Sequence, residues 1–139
     1  MSLHNLADTY TLYLQTHNFH WNVTGKRFVG LHNLLREQYT EMIEAIDEIA
    51  ERIRALGFYT PATYTKLSQL TSLTETEEVP KSEEMVRILV DNTEKLIRTA
   101  REALQRAEAA NDAVTADLLT ERMEIHEKNA WMLRSILED

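Results

Sequence analysis

The chain has 139 residues, with 15 Lys and Arg against 23 Asp and Glu, a formal net charge of −8, and no cysteine. That length suits a single domain, residues 1–139, with one buried core, and the lack of cysteine excludes a disulfide framework, a thiolate zinc finger and a thiol nucleophile. The acidic balance disfavours a nucleic-acid surface, which needs positive charge to meet phosphates.

Only 3 glycines and 2 prolines interrupt a sequence rich in helix formers, so long helices with few turns are expected. In the first segment Leu3, Leu6, Tyr10, Tyr13, His17 and His20 recur at steps of three or four, with Trp21 alongside. The stretch NVTGKR (22–27) breaks that pattern, and Gly25 is the expected stop. A second stripe runs through Phe28, His32, Leu35, Tyr39, Met42, Ile46, Ile49, Ile53 and Leu56 until Gly57 ends it. Its length predicts a helix of about 28 residues, roughly 40 Å long.

From Phe58 to Pro80 the pattern changes. Pro61 can open a short helix carrying Leu67, Leu70 and Leu73, followed by the polar loop TETEEVP. A third stripe holds Met85, Leu89, Asn92, Leu96, Ala100, Ala103 and Ala107. Asn111 and Asp112 end it, and Asp112 is placed to cap the next helix. That last helix carries Leu119, Met123, His126, Ala130, Leu133 and Leu137 on one side, with Val114, Leu118, Ile125, Met132 and Ile136 beside them.

Four long amphipathic helices with one long connection predict an all-α four-helix bundle with one crossover, which holds a short extra helix. The second and last helices are apolar over more than one stripe, which predicts self-association. No apolar run nears the roughly 20 residues that cross a bilayer. The opening MSLHNLADTY lacks a signal-peptide pattern, so no membrane contact and a cytoplasmic setting are expected.

Asp47 and Glu51 sit one turn apart on the second helix, beside its apolar stripe. On spacing alone, a solvated acidic side with Glu41, Glu44 and Glu48, offset by Arg52 and Arg54, is the commoner account of such a pair. His20 and His32 occupy positions where the stripe calls for apolar residues, on either side of the turn at Gly25. Antiparallel helices joined there bring both imidazoles to one end of the bundle, either as core histidines bonded to carbonyls or as a ligand pair.

His32 and Asp47 are fifteen residues apart on one helix, about 22 Å, too far to share a metal ion. An antiparallel dimer of second helices sets the histidines of one chain against the carboxylates of the other, giving two sites about a two-fold axis. Imidazole and carboxylate together suit Fe(II), Mn(II) or Zn(II). A single-chain di-iron bundle needs Glu-x-x-His on two helices, and no Glu here is followed by His at that spacing. His17, three residues before His20, is a candidate further ligand, but its place on the stripe favours packing, and His126 falls on its stripe as a packing residue.

Four segments carry a family resemblance: HNFHWNVTG (17–25), LH (31–32), DEIAERIRALG (47–57) and HEKNAWMLRSIL (126–137). Together they resemble the Dps proteins, the DNA-binding proteins from starved cells, over nearly the whole chain. The resemblance implies a mini-ferritin: a hollow dodecamer built from dimers, with ferroxidase sites at the dimer interfaces. There Fe(II) is oxidised, preferably by hydrogen peroxide, and Fe(III) is stored inside, which protects the cell in its stress response. His20, His32, Asp47 and Glu51 match the family's metal ligands by position, and Trp21 matches the tryptophan beside the site, a donor to strong oxidants. Asp112 and Asp117 resemble the acidic residues of the iron-access pores.

Two positions depart from the family. An acidic residue commonly follows the second histidine by four, and here it is Arg36, with Glu37 next to it. One residue turns a helix by about 100°, so Glu37 does not replace it. One firm iron site and a weak or absent second are expected, as a guanidinium repels a second cation. Neither MSLHNLAD nor SILED supplies the Lys-rich tail through which many members bind DNA, so DNA binding is not expected of these residues. The alternatives are a nucleoid protein that shields DNA, and a cage that holds zinc or manganese, with Arg36 as its supporting feature.

Overall fold

The glycines and caps read from the sequence delimit the helices. In the computed structural model, which describes residues 3–138, five helices follow in order. They are α1 (Leu3–Asn22), α2 (Phe28–Ala55), α3 (Tyr64–Leu70), α4 (Ser82–Ala109) and α5 (Ala113–Ile136). Residues 1, 2 and 139, part of the two ends read for a basic tail, lie outside the described residues. Gly25 and Gly57 adopt φ +100° and +97°, left-handed values that halt α1–α2 continuity and the end of α2 at little cost only without a Cβ. Asn111 takes φ +57° between α4 and α5. Asp112 caps α5, its carboxylate accepting from the Thr115 backbone N–H at 3.1 Å. The short helix starts later than Pro61 suggests, because the Thr63 hydroxyl caps it by accepting from the Lys66 N–H.

The cross-links fix the helix directions, and the long crossover leaves α2 and α4 parallel. Glu94 pairs with Arg134 and Arg101 with Glu127, so α4 and α5 run antiparallel. Arg52 meets Asp112 while Glu41 meets Arg122, so α2 and α5 also run antiparallel. Helix α1 packs on α2 and α4, and α5 on α4 and α2, closing a four-helix bundle. Helix α3 lies in the crossover between α2 and α4 and touches α1. No helix of the described residues is long and apolar enough to cross a membrane.

The stripes of α2, α4 and α5 supply the core: Leu35, Met42, Ile49, Leu89, Leu96, Leu119 and Leu133 are fully buried. The α1 stripe needs correction. Tyr10, Tyr13 and His17 are only half-buried, while Asp8, Leu12, Gln15, Thr16 and Phe19 face the core. Burying Asp8 is possible because its carboxylate is saturated. It accepts from Thr71 Oγ1 (2.8 Å), Ser72 N (2.7 Å), Ser72 Oγ (2.8 Å) and Thr99 Oγ1 (3.1 Å). One side chain thereby ties α1 to the crossover and to α4.

A second polar cluster spans α2 and α5. Buried Arg122 donates through both terminal nitrogens to the two Glu41 carboxylate oxygens, a fork-on-carboxylate pair. Its Nη2 also lies 3.4 Å from His126 Nε2. His126 is wholly buried, and burial first, then the Arg122 charge, lowers its pKa to about 3. It is a neutral interior histidine, in keeping with the packing role read from its stripe.

Candidate metal centre

Helix α1 ends at Asn22, so the carbonyl of His20 falls in the last turn, where backbone oxygens lack a helical partner. His32, in the first turns of α2, fills that vacancy: its Nδ1 lies 2.7 Å from the His20 carbonyl oxygen. The relationship is reciprocal, since His20 Nδ1 lies 2.7 Å from the His32 carbonyl oxygen. A carbonyl only accepts, so each Nδ1 must carry a proton, which leaves Nε2 as the atom free to bind a metal ion. The rings stack at 3.8 Å between centroids and 15° between planes. The two imidazoles are thus held with ring orientation fixed and Nε2 turned away from the carbonyl bonds, the orientation by which a carbonyl-bonded histidine binds a metal ion.

The surroundings are aromatic. Phe28 stacks on His32 at 4.9 Å, and Tyr39 meets His20 edge-on at 5.1 Å. His17, read as a packing residue, is instead half-buried between Trp21 at 3.7 Å and Tyr39 at 4.2 Å. Burial, then His20, lowers its pKa, so it adds no positive charge beside the pair. Trp21 itself is 62% exposed.

Asp47 and Glu51 are exposed on α2. The arginines that a solvated acidic side would use are engaged elsewhere. Arg52 binds Asp112 and Thr115 on α5, and Arg54 donates to the Phe58 carbonyl and lies over the Tyr59 ring at 4.8 Å. Neither acidic residue has an ion pair among the described residues. Helix α2 runs unbroken from His32 to Glu51, which keeps the two pairs about 22 Å apart, from His32 to Asp47. Among the described residues no three His, Asp or Glu side chains gather to hold a metal ion within one chain. The histidine pair by itself brings two nitrogen donors together.

A ferritin-like domain family matches residues 3–139. A low temperature-induced protein of Nostoc is 44% identical over 136 residues, covering 96% of this chain and 76% of its own length. DNA protection during starvation protein 2 of Bacillus anthracis is 37% identical, with 95% of this chain and 90% of that protein covered. The chain belongs to the Dps family. The crystal structure of a Dps protein from Bacillus brevis superposes with a TM-score of 0.93 at 36% identity, over 99% of this chain and 93% of that one.

For a Dps chain the sequence singled out the two pairs, and the structure joins the histidines but leaves the carboxylates apart. Asp112 is not a free acidic group. Its carboxylate serves the α5 cap and Arg52, which leaves less of it for a pore, while Asp117 is exposed. Tyr39 was placed in the apolar stripe, and its contact with both His17 and His20 has no sequence signal beyond a step of seven from His32. The Glu41–Arg122 pair was not foreseen either, since it joins positions 81 apart.

Proposed function

We propose that this Dps chain is a ferroxidase subunit that oxidises Fe(II) with hydrogen peroxide at sites shared between two copies, and stores Fe(III) inside a dodecameric cage. The observation that carries this reading is the reciprocal His20–His32 pair, which presents two fixed imidazoles as nitrogen donors and no more. Fe(II) needs further ligands, and the unpaired carboxylates of Asp47 and Glu51 are chemically suited to supply them. They are out of reach in their own chain, so a second copy must bring them. Exposed apolar side chains on the same two helices, Leu14, Trp21, Phe28, Val29 and Ile43, support coverage by that copy.

In this reading His20 and His32 bind Fe(II) through Nε2, and Asp47 and Glu51 of the partner neutralise its charge. Both carboxylates stabilise Fe(III) more than Fe(II), which favours oxidation. Trp21, beside His17, stands ready to reduce a stray oxidant. Zn(II) and Mn(II) suit the same donors and are expected to compete with iron. A net charge of −8 suits cation uptake and opposes DNA as a partner.

The test mixes two defective subunits. His20→Ala and Glu51→Ala are each expected to abolish peroxide-dependent iron oxidation in homo-oligomers. In a mixed dimer one site carries both defects and the other is intact, so co-assembled oligomers should recover activity. Two inactive parents that stay inactive when co-assembled would refute the shared site.

A further inference from the structure

At the end of α2 the chain turns back on itself. Gly57, in the left-handed region, closes the turn, with its N–H bonded to the Arg54 carbonyl and the Phe58 N–H to the Ile53 carbonyl. The Thr60 hydroxyl then donates to the Ala50 carbonyl at 2.7 Å, so residues 58–60 lie back along the last turns of α2, in the neighbourhood of Glu51. Arg54 fixes the same hook twice, donating to the Phe58 carbonyl at 3.2 Å and lying over the Tyr59 ring. Yet the two rings held in this way stay mostly in solvent, Phe58 at 61% and Tyr59 at 88% exposure.

A second uncovered apolar group stands at the other end of α2. Trp21, Phe28 and Val29 are exposed around the α1–α2 turn, and Phe28 stacks on His32 of the metal-binding pair. The two groups mark the ends of one 28-residue helix, about 40 Å apart, so they cannot meet within one chain. Across a two-fold axis they can, because an isologous interface sets each patch of one copy on the other patch of its partner.

We propose that Phe58 and Tyr59 of one copy form an apolar cover over the histidine pair of the other, packing at its α1–α2 turn and closing the metal site against bulk water. The inference rests on the shared-site reading above, and its register follows from that reading. With Asp47 and Glu51 of one copy set at the histidines of the other, the two α2 helices run antiparallel past each other. Four residues beyond Glu51 the helix reaches Ala55 and the hook, and four residues before His32 it reaches Phe28 and the turn. On antiparallel helices both steps lead the same way from the metal, by about 6 Å each. The hook of one copy therefore arrives at the exposed rings of the other. Excluding bulk water there leaves the attraction between Fe(II) and the two carboxylates less screened. The cover also sorts by size, since hydrogen peroxide passes gaps that stop a bulky chelator.

The chain has no cysteine, so introduced cysteines report the contact without background. Assembled protein carrying both Phe28→Cys and Tyr59→Cys, treated with a short bismaleimide, should give covalent dimers on a denaturing gel. Either substitution alone should give few. A second measurement uses Trp131→Phe, which leaves Trp21 as the sole indole. In that background acrylamide should quench Trp21 weakly in the assembled protein. Phe58→Ala with Tyr59→Ala should raise the quenching several-fold and speed anaerobic extraction of bound Fe(II) by bipyridine to a similar degree. The cover is overturned if the paired cysteines crosslink no better than the single ones, or if the two alanines leave Trp21 quenching unchanged. Crosslinking and quenching need no iron, so they judge the cover alone. The mixed His20→Ala and Glu51→Ala oligomers judge the shared site, and their failure to recover activity beside a crosslinked hook would remove that site while leaving the contact in place.

Discussion

Arg52 turns away from Glu51, its neighbour on α2, and binds Asp112 across the bundle at 2.9 Å, with Thr115 Oγ1 at 3.0 Å. Two consequences follow from one side chain. The start of α5 is clamped to α2, and the acidic pair on α2 is left without its nearest cation. A surface that looks self-neutralised in sequence is therefore open to an incoming positive charge.

The clamp predicts a stability effect with a definite pH sign. Hydrogen bonds from the Thr115 hydroxyl and backbone, and then Arg52, lower the Asp112 pKa below its ordinary 3.8. A lowered carboxylate pKa contributes stability that is complete above the unfolded value and is lost as pH falls through the folded one. Asp112→Ala should lower the thermal midpoint at neutral pH, and Asp112→Ser, which keeps a capping oxygen, should recover most of the loss. Circular dichroism melts at pH 7 and pH 3 check both parts. The difference between wild type and Asp112→Ala should shrink at the lower pH.

Arg36 is exposed on α2, four residues past His32, and has no ion pair among the described residues. Among the described residues nothing cancels its positive charge, which would oppose a second cation bound beside His32. Anaerobic Fe(II) titration should therefore give one tight iron per histidine pair in wild type. Arg36→Asp replaces repulsion with a ligand and should raise the count to two. Two tight irons in wild type would contradict this reading of Arg36.

Helix ends were legible because they are written in local chemistry: Gly25 and Gly57 in left-handed turns, and Asp112 as a cap. The core faces of α2, α4 and α5 followed from apolar periodicity for the same reason. Helix α1 defeated that rule, since its inward face carries Asp8, Gln15 and Thr16 while tyrosines take the flank. A polar residue on an inward face is intelligible only with its partners, and those of Asp8 lie 63 to 91 positions away. The histidine pair was legible as a convergence, because a short turn joins the two helices. Its reciprocal bonding to backbone carbonyls was not, because a carbonyl has no side-chain letter. The carboxylates of Asp47 and Glu51 have no partner among the described residues to confirm them.

His126 provides a second pH prediction, with the same linkage sign as Asp112. Its folded pKa of about 3 lies below the ordinary 6.5. The unfolded chain takes up a proton at this residue as pH falls through 6.5, while the folded chain refuses it. The groups facing it are the Arg122 guanidinium, which opposes a second positive charge, and Glu41, which is already bound to Arg122. Stability should drop by roughly 1 kcal/mol for each pH unit between about 6.5 and 3. Urea titrations of the assembled protein at pH 7, 6 and 5 measure the slope. His126→Gln should flatten it, and an unchanged slope in that variant would assign the acid sensitivity to other groups.

Asp8 offers the sharpest test of how the crossover is held. Its carboxylate accepts from Thr71, Ser72 and Thr99, including the Ser72 backbone N–H at 2.7 Å. Asp8→Ala leaves that N–H and three hydroxyls facing a small void, and the cost should be about 3 kcal/mol, the loss expected when donors to a buried charged acceptor go unpaired. Asp8→Asn should cost less. Its amide oxygen can still accept from Ser72 N, and the hydroxyls of Ser72 and Thr99 can rotate to accept from its nitrogen. Hydrogen exchange separates this local tether from a general loss of packing. In Asp8→Ala the Ser72 and Leu73 amides should exchange far faster, while Leu35 and Leu89, deep in the neighbouring helices, slow or speed only with global stability. Uniform loss of protection at all four positions would mean that Asp8 acts as core filling and not as the anchor of the crossover.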